Sequence, residues 1–239
     1  MNRRSFAALT VSILTEPLVA GPARADAVDE RDGPATEPAP RAHSESLSTD
    51  EIVARVAAFY DEITTFRAHF RQYLRAVPYD KKRNLDGVVV FEKPGKMSWR
   101  YTSSGNRIVS DGSRIQVYER ENKQLFELEP EKSQHLAALS FLGTQGMLTS
   151  NFKFTKVDEK LVKLERVHRL LAQPRQRSLA YEKLVFYVDA RTYEVSRVLL
   201  MDAAGNRNRF DLGQSKANPR VPPDEFTFSP PPGTRIIRL

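Results

Sequence analysis

Apolar residues return at helical spacing from Ile52 to Ile63, through Val53, Val56, Phe59 and Tyr60. Thr49 or Ser48 is placed to cap the first N–H groups, and Asp50 and Glu51 lie at the positive end of the dipole. This pattern predicts a helix that buries one stripe in a core. The period changes near Thr64-Thr65. From Phe66 to Ala76 the even positions read Phe, Ala, Phe, Gln, Leu, Ala and the odd ones Arg, His, Arg, Tyr, Arg. Period two predicts a strand with one wet face. A continued helix is the competing reading, because Phe59, Ile63, Phe66 and Phe70 also fit helical spacing.

Pro78 to Asp86 reads as a polar turn region. Strands are then predicted at Gly87 to Glu92, Met97 to Tyr101, Arg107 to Ser110, Arg114 to Glu119 and Lys123 to Leu128. Pro94-Gly95, Ser104-Gly105-Asn106 and Asp111-Gly112 mark turns between them. Between Pro130 and Thr149 the sheet pattern stops. Gln134 to Leu142 predicts a short helix, apolar on most sides, broken at Gly143 to Gly146 and followed by an apolar tail, Met147-Leu148. Strands resume at Asn151 to Val157 and Leu161 to Leu171. A basic loop, Pro174 to Arg177, precedes three more at Ala180 to Val188, Tyr193 to Met201 and Arg207 to Gly213. Phe226-Thr227-Phe228 reads as a last short strand. The expected fold is mainly β: about ten to twelve antiparallel strands, short turns, one leading helix and one inserted helix. A meander of that length curls or closes into a barrel. Curling leaves a concave face, and the inserted helix is a natural lid for it.

The first residues change the picture of where this domain works. Arg3 and Arg4, then Phe6 to Leu14, then Ala23-Arg24-Ala25 match the charged, apolar and small-residue parts of a secretory signal peptide over residues 1–25. Asn2 to Phe6 loosely matches a twin-arginine signal. Glu16-Pro17 is unusual inside the apolar stretch. The chain is therefore expected to be exported, soluble and without a lipid anchor. Residues 26–47 are too polar and proline-rich to offset their own ordering entropy and read as a disordered linker. The folded domain is expected over residues 48–239.

Composition excludes several chemistries. The 239 residues include no cysteine, which removes disulfides, thiolate metal sites, cysteine nucleophiles and N-terminal lipidation. The histidines His43, His69, His135 and His168 lie far apart. No Ser-His-Asp set, glycine-rich phosphate loop or metal cluster stands out, so neither catalysis, a metal nor a cofactor is expected. The formal net charge is +7. That excess does not demand nucleic acid, and export argues against it. An evenly solvated surface explains it most simply, and anionic lipid headgroups are the alternative.

Five segments, in order, resemble the LolA family of periplasmic outer-membrane lipoprotein carriers. They are the leading helix with Thr65 to Gln72, Gly87 to Tyr101, Ile108 to Gly112, Leu139 to Gly143 with Leu148 and Phe152, and Phe226 to Thr234. The resemblance implies an incomplete antiparallel barrel whose apolar inner face is covered by helices. It implies a monomeric shuttle that takes acylated lipoproteins from an inner-membrane ABC exporter and hands them to an outer-membrane acceptor. Candidate residues for the lipid-cavity wall are Phe70, Phe91, Trp99 and Tyr101. Candidates for the lid are Leu136, Leu139, Phe141, Leu142 and Leu148. Some family members carry an arginine latch before the proline of the second segment. The matching position here is Lys93, whose flexible single charge makes a looser latch or an ordinary solvated lysine. A periplasmic lipid- or lipoprotein-sensing regulator of the same curved-sheet fold is the alternative reading. The outer-membrane acceptor shares the fold but needs the N-terminal cysteine this chain lacks.

Overall fold

The structure, a computed structural model, describes residues 47–129, 147–157, 166–178 and 181–239. The expected signal peptide, almost all of the linker, the helix at Gln134 to Leu142 and the start of the strand at Leu161 lie outside the described residues. Ser48 to Leu239 form one compact unit.

Helix α1 spans Thr49–Asp61. Ser48 is its cap, and a full capping box forms: Ser48 Oγ accepts from the Glu51 N–H, and the Glu51 carboxylate accepts from the Ser48 N–H. The hydrogen bond from Ser48 holds the Glu51 carboxyl below its ordinary pKa. Ile52, Val53, Val56 and Tyr60 form the buried stripe.

The helix does not continue. Strand β1 runs Thr65–Ala76, with Phe66, Ala68, Phe70 and Gln72 buried and Arg67, His69 and Arg71 exposed. A 3-10 turn, Val77–Tyr79, leads into β2, Lys81–Glu92. The region expected as a turn through Asp86 is therefore half a strand. It pairs with β1 from Ala76↔Lys81 through Thr65↔Glu92. Then follow β3 (Lys96–Tyr101), β4 (Arg107–Asp111), β5 (Ile115–Glu119) and β6 (Gln124–Leu128). Met147–Asn151, expected as a plain tail and the start of a strand, forms a short helix, α2. After it come β7 (Phe152–Lys156), β8 (Val167–Pro174), β9 (Lys183–Asp189), β10 (Val195–Met201), β11 (Arg207–Ala217) and β12 (Arg235–Arg238).

All twelve belong to one sheet in the order β12-β6-β5-β4-β3-β2-β1-β11-β10-β9-β8-β7. β12 and β7 are its two ends, so the sheet is an unclosed barrel. Each neighbouring pair is antiparallel except β12–β6, which is parallel. That exception and β12 itself were not expected. Phe226 to Phe228, expected as the last strand, is a turn followed by irregular backbone.

Register sorts the side chains into two faces. On one face Phe66, Ala68 and Phe70 stand opposite Phe91, Val89 and Gly87 of β2, which stand opposite Met97, Trp99 and Tyr101 of β3. On the other flank Phe70 and Gln72 stand opposite Leu212 and Phe210 of β11. Val198, Phe186, Leu170 and Ala172 carry the same buried face on to β7. Helix α1 is tied to this sheet at both ends. Thr49 Oγ1 accepts from the Lys156 N–H of β7 at 3.1 Å, and the Tyr60 hydroxyl accepts from the Val195 N–H of β10 at 3.0 Å. The opposite face of β3 to β5 is crossed by the proline-rich stretch Asn218 to Thr234, which we call the strap. There Glu225 reaches Arg100 and Arg107, and Phe228 lies against Tyr118.

Candidate apolar binding face

The four residues expected as cavity wall lie together. The Phe70 ring centroid is 4.9 Å from that of Trp99 and 5.0 Å from that of Tyr101, and Phe91 meets Trp99 edge-on at 5.9 Å. Alternation on β1, β2 and β3 places them on one face, and antiparallel pairing brings the rows into contact. Phe70, Phe91 and Trp99 are at most 2 % exposed. Tyr101 is less covered, yet burial pushes its phenol above the ordinary pKa, with Arg83 opposing. It stays neutral at physiological pH, as an apolar lining requires.

Phe210 of β11 joins this cluster, 5.4 Å from Trp99 and 6.3 Å from Phe70. Sequence reasoning predicted its strand but did not choose the residue. The signal was there: Phe210 and Leu212 alternate with Arg209 and Asp211. What sequence could not show is that β11 sits beside β1, some 140 residues away.

The cluster depends on a glycine. Gly87 stands between Phe70 and Tyr101 in the ladder. A Cβ there would lie 1.9 Å from the Arg100 carbonyl oxygen and 2.9 Å from Phe70 Cε1. The missing side chain lets the Phe70 ring lie over the backbone. Two polar atoms on this face, Trp99 Nε1 and Gln72 Oε1, are buried without a hydrogen-bond partner. Gln72 does donate, through Nε2, to Asn208 at 3.0 Å.

Of the expected lid residues, Leu148 is described. It lies in α2, is 5 % exposed, and its helix packs near α1 and β7. Leu136, Leu139, Phe141 and Leu142 lie outside the described residues. Lys93 is not an ordinary solvated lysine. Its Nζ donates to the carbonyl oxygens of Tyr60, at 2.5 Å, and Asp61, at 3.3 Å. It therefore caps the C-terminal end of α1, which has no basic residue of its own in its last turn.

One cavity, of about 340 Å³, lies on the opposite face of the sheet, lined by Arg100, Arg107, Asp224, Glu225 and Phe228 among others. It is a polar space under the strap, not an acyl-chain site. Among the described residues no group of three or more His, Asp or Glu side chains is arranged to hold a metal ion. No described helix is long and apolar enough to cross a membrane.

The family model described as "Outer membrane lipoprotein carrier protein LolA" matches residues 61–229. Curated relatives include an outer-membrane lipoprotein carrier protein of Legionella pneumophila, 28 % identical over 178 residues, which cover 74 % of this chain and 84 % of that one. Another, from Methylibium petroleiphilum, is 26 % identical over 197 residues, 82 % of this chain and 91 % of that one. Among solved structures, a LolA superfamily protein from Nitrosomonas europaea is 12 % identical with a TM-score of 0.44, covering 77 % of this chain and 99 % of that one.

Proposed function

The chain belongs to the LolA family, and from that premise we propose that it carries acylated lipoproteins between the two membranes of the cell envelope, sheltering their acyl chains against the aromatic face of the sheet. The observation that carries the reading is the continuous apolar face centred on Phe70, Phe91, Trp99, Tyr101 and Phe210. The family match favours this reading over a lipid-sensing regulator. It calls for no catalytic residue and no cofactor.

Burying each CH₂ of an acyl chain is worth about 0.8 kcal/mol, so one chain of ordinary length is worth on the order of 10 kcal/mol. Without an apolar sleeve such a chain does not cross water. Release demands that the sleeve not bind too well. Here Phe70, Phe91 and Trp99 are already buried, so bound cargo gains only the difference between two buried states. The segment from Leu136 to Leu148 is proposed as the cover that exchanges with cargo. An inner-membrane exporter is proposed as donor and an outer-membrane lipoprotein receptor as acceptor, with export of this chain directed by residues 1–25.

The test is uptake of an acylated lipoprotein from membrane vesicles into the soluble phase, against the same protein without its acyl chains. The acylated form is expected to be solubilised and the other not. Equal uptake of both overturns the carrier reading. Trp99→Glu and Leu142→Glu are each expected to reduce uptake while far-ultraviolet circular dichroism stays that of the folded sheet. Undiminished uptake by both variants removes the assignment of the cavity.

A further inference from the structure

The outward face of β1, β2 and β11 carries cations that the carrier reading does not use. Arg67, Arg71 and Arg75 alternate along β1 with the buried wall residues and are exposed. Arg75 stands directly opposite Lys82 of β2 on one side and Arg207 of β11 on the other. Arg67 stands directly opposite Lys216. All six are exposed. Like charges directly opposite each other destabilise a sheet, so two rungs of the central ladder are built against the stability of the free protein.

The neighbouring acids offset only part of this charge: Arg71 stands directly opposite Asp211 and Asp86, and the other five cations do not face an acid across a ladder. Asp211 is engaged by Arg197 and Arg209, and Asp80 meets Arg75 only at the tip, at 3.4 Å. That leaves Asp86 within the patch. Eight residues separate Arg67 from Arg75, about 26 Å along the strand. The strap, which covers the same face over β3 to β5, makes its ion pairs and ring contacts with Arg100, Arg107, Lys96 and Tyr118 and not with these strands.

We propose that this face docks on an anionic phospholipid surface, holding the carrier against the bilayer with its apolar face turned away from the headgroups. The charge is spread over a broad sheet surface, which suits a layer of mobile headgroups rather than one fixed anion. Interleaved Tyr73, Leu199 and Met201 are half-exposed, the mixture of aromatic, apolar and basic side chains that interfacial surfaces carry. Nucleic acid fits less well. The Tyr73 and Tyr187 rings on this face are already covered by the guanidinium groups of Arg209, 4.0 Å from the ring centre, and Arg197, at 5.2 Å. They are not free to stack on bases.

The experiment is co-sedimentation of the full chain with cargo-free vesicles of phosphatidylcholine alone and of phosphatidylcholine with phosphatidylglycerol. The anionic lipid is expected to increase binding, and added salt to remove that increase. The variant Arg67→Gln, Arg75→Gln, Lys82→Gln is expected to lose roughly a hundredfold in partitioning onto the anionic vesicles, about a factor of five per cation. Its thermal midpoint is expected to match or exceed that of the parent, because the opposed charges are gone. No gain from the anionic lipid overturns the proposal, as does a variant that binds anionic vesicles like the parent. If the variant loses lipoprotein transfer while neither form binds vesicles, the face meets an acidic protein and the membrane proposal fails. Since the vesicles carry no lipoprotein, the result is independent of whether the apolar face takes acyl chains.

Discussion

Replacing Lys93 by Met separates its role at α1 from any role in holding a cover. The Lys93 ammonium makes a 2.5 Å hydrogen bond to the partly buried Tyr60 carbonyl and a longer, exposed one to Asp61. A hydrogen bond to a charged group contributes about 1.5–3 kcal/mol, and a cation at a helix C-terminus about 0.3–1 kcal/mol. The second bond is long and wet, so about 2 kcal/mol in total is the reasonable sum. Methionine keeps most of the aliphatic stem, which isolates the charge. For a unit of about 190 residues this loss lowers the thermal midpoint by roughly 4–8 °C.

The assay is thermal unfolding followed by circular dichroism, with amide exchange along α1. Exchange is expected to quicken at the last turn, around Tyr60 to Ile63, and to stay slow in β1 and β2. Lys93→Arg is expected to restore most of the midpoint, since its donors reach the same carbonyls. A Lys93→Met protein with an unchanged midpoint and unchanged α1 exchange refutes the capping argument. Uptake that falls much further than the midpoint shift explains assigns Lys93 the additional task of holding the cover.

Gly87→Ala is expected to cost about 3 kcal/mol in chemical denaturation, because the Arg100 carbonyl at 1.9 Å from the new Cβ is backbone and gives way poorly; a neutral result means that β3 shifts freely. Glu225→Gln is expected to loosen the strap. Its carboxylate is 4 % exposed and lies 2.9 Å from Arg100 and 3.9 Å from Arg107. Breaking a buried pair costs about 3–5 kcal/mol, here nearer 2 because both arginines are partly wet; faster amide exchange from Asp224 to Phe228, with the rest unchanged, is the readout. Asp189 has its carboxyl held below the usual value of 3.8 by the Thr192 N–H and then, against slight burial, by the Arg191 N–H and the Thr192 hydroxyl. A depressed acid contributes stability above its unfolded pKa and loses it as pH falls through the folded one. Asp189→Asn is therefore expected to lower the midpoint at neutral pH and to flatten its decline below about pH 4; an unaltered acid-side slope refutes the assignment.

Much of this was legible because one strand spells its two faces plainly. On β1 the switch from period 3.6 to period two at Thr65 is visible, and Ala68, buried between Phe66 and Phe70, is the residue that a continued helix would have turned away from that stripe. The first half of β2 was not legible. Lys81 to Asp86 offers only Leu85 as an inward apolar residue, so nothing but pairing to β1 reveals the strand. Phe226 and Phe228 show the spacing of a strand, yet they dock by side chains alone, under Lys96 and against Tyr118. β12 is four residues long and finds its place because the strap carries the chain back across the sheet to lie parallel to β6. The wall was legible as far as neighbouring strands supply it, and Phe210 was missed because its proximity is set by topology.

The two proposed surfaces share a single strand. Phe66, Ala68 and Phe70 face the aromatic cluster, while Arg67, His69 and Arg71 between them face outward. A sheet of period two cannot change one set without fixing the other, and a slip of one residue would exchange them entirely. β1 is held against that slip by ladders on both flanks, twelve rungs to β2 on one side and a long pairing with β11 on the other. Gly87 adds a steric lock, since no other residue of β2 could stand under Phe70. The β11 ladder shifts register between Arg67 and His69, so the irregularity lies opposite Ala68, and the pairing is regular from His69 and Phe70 onward. The chain thus keeps a regular register from Phe70 onward, where the large wall side chains need it, and admits its bulge at Ala68, the smallest side chain of the apolar row.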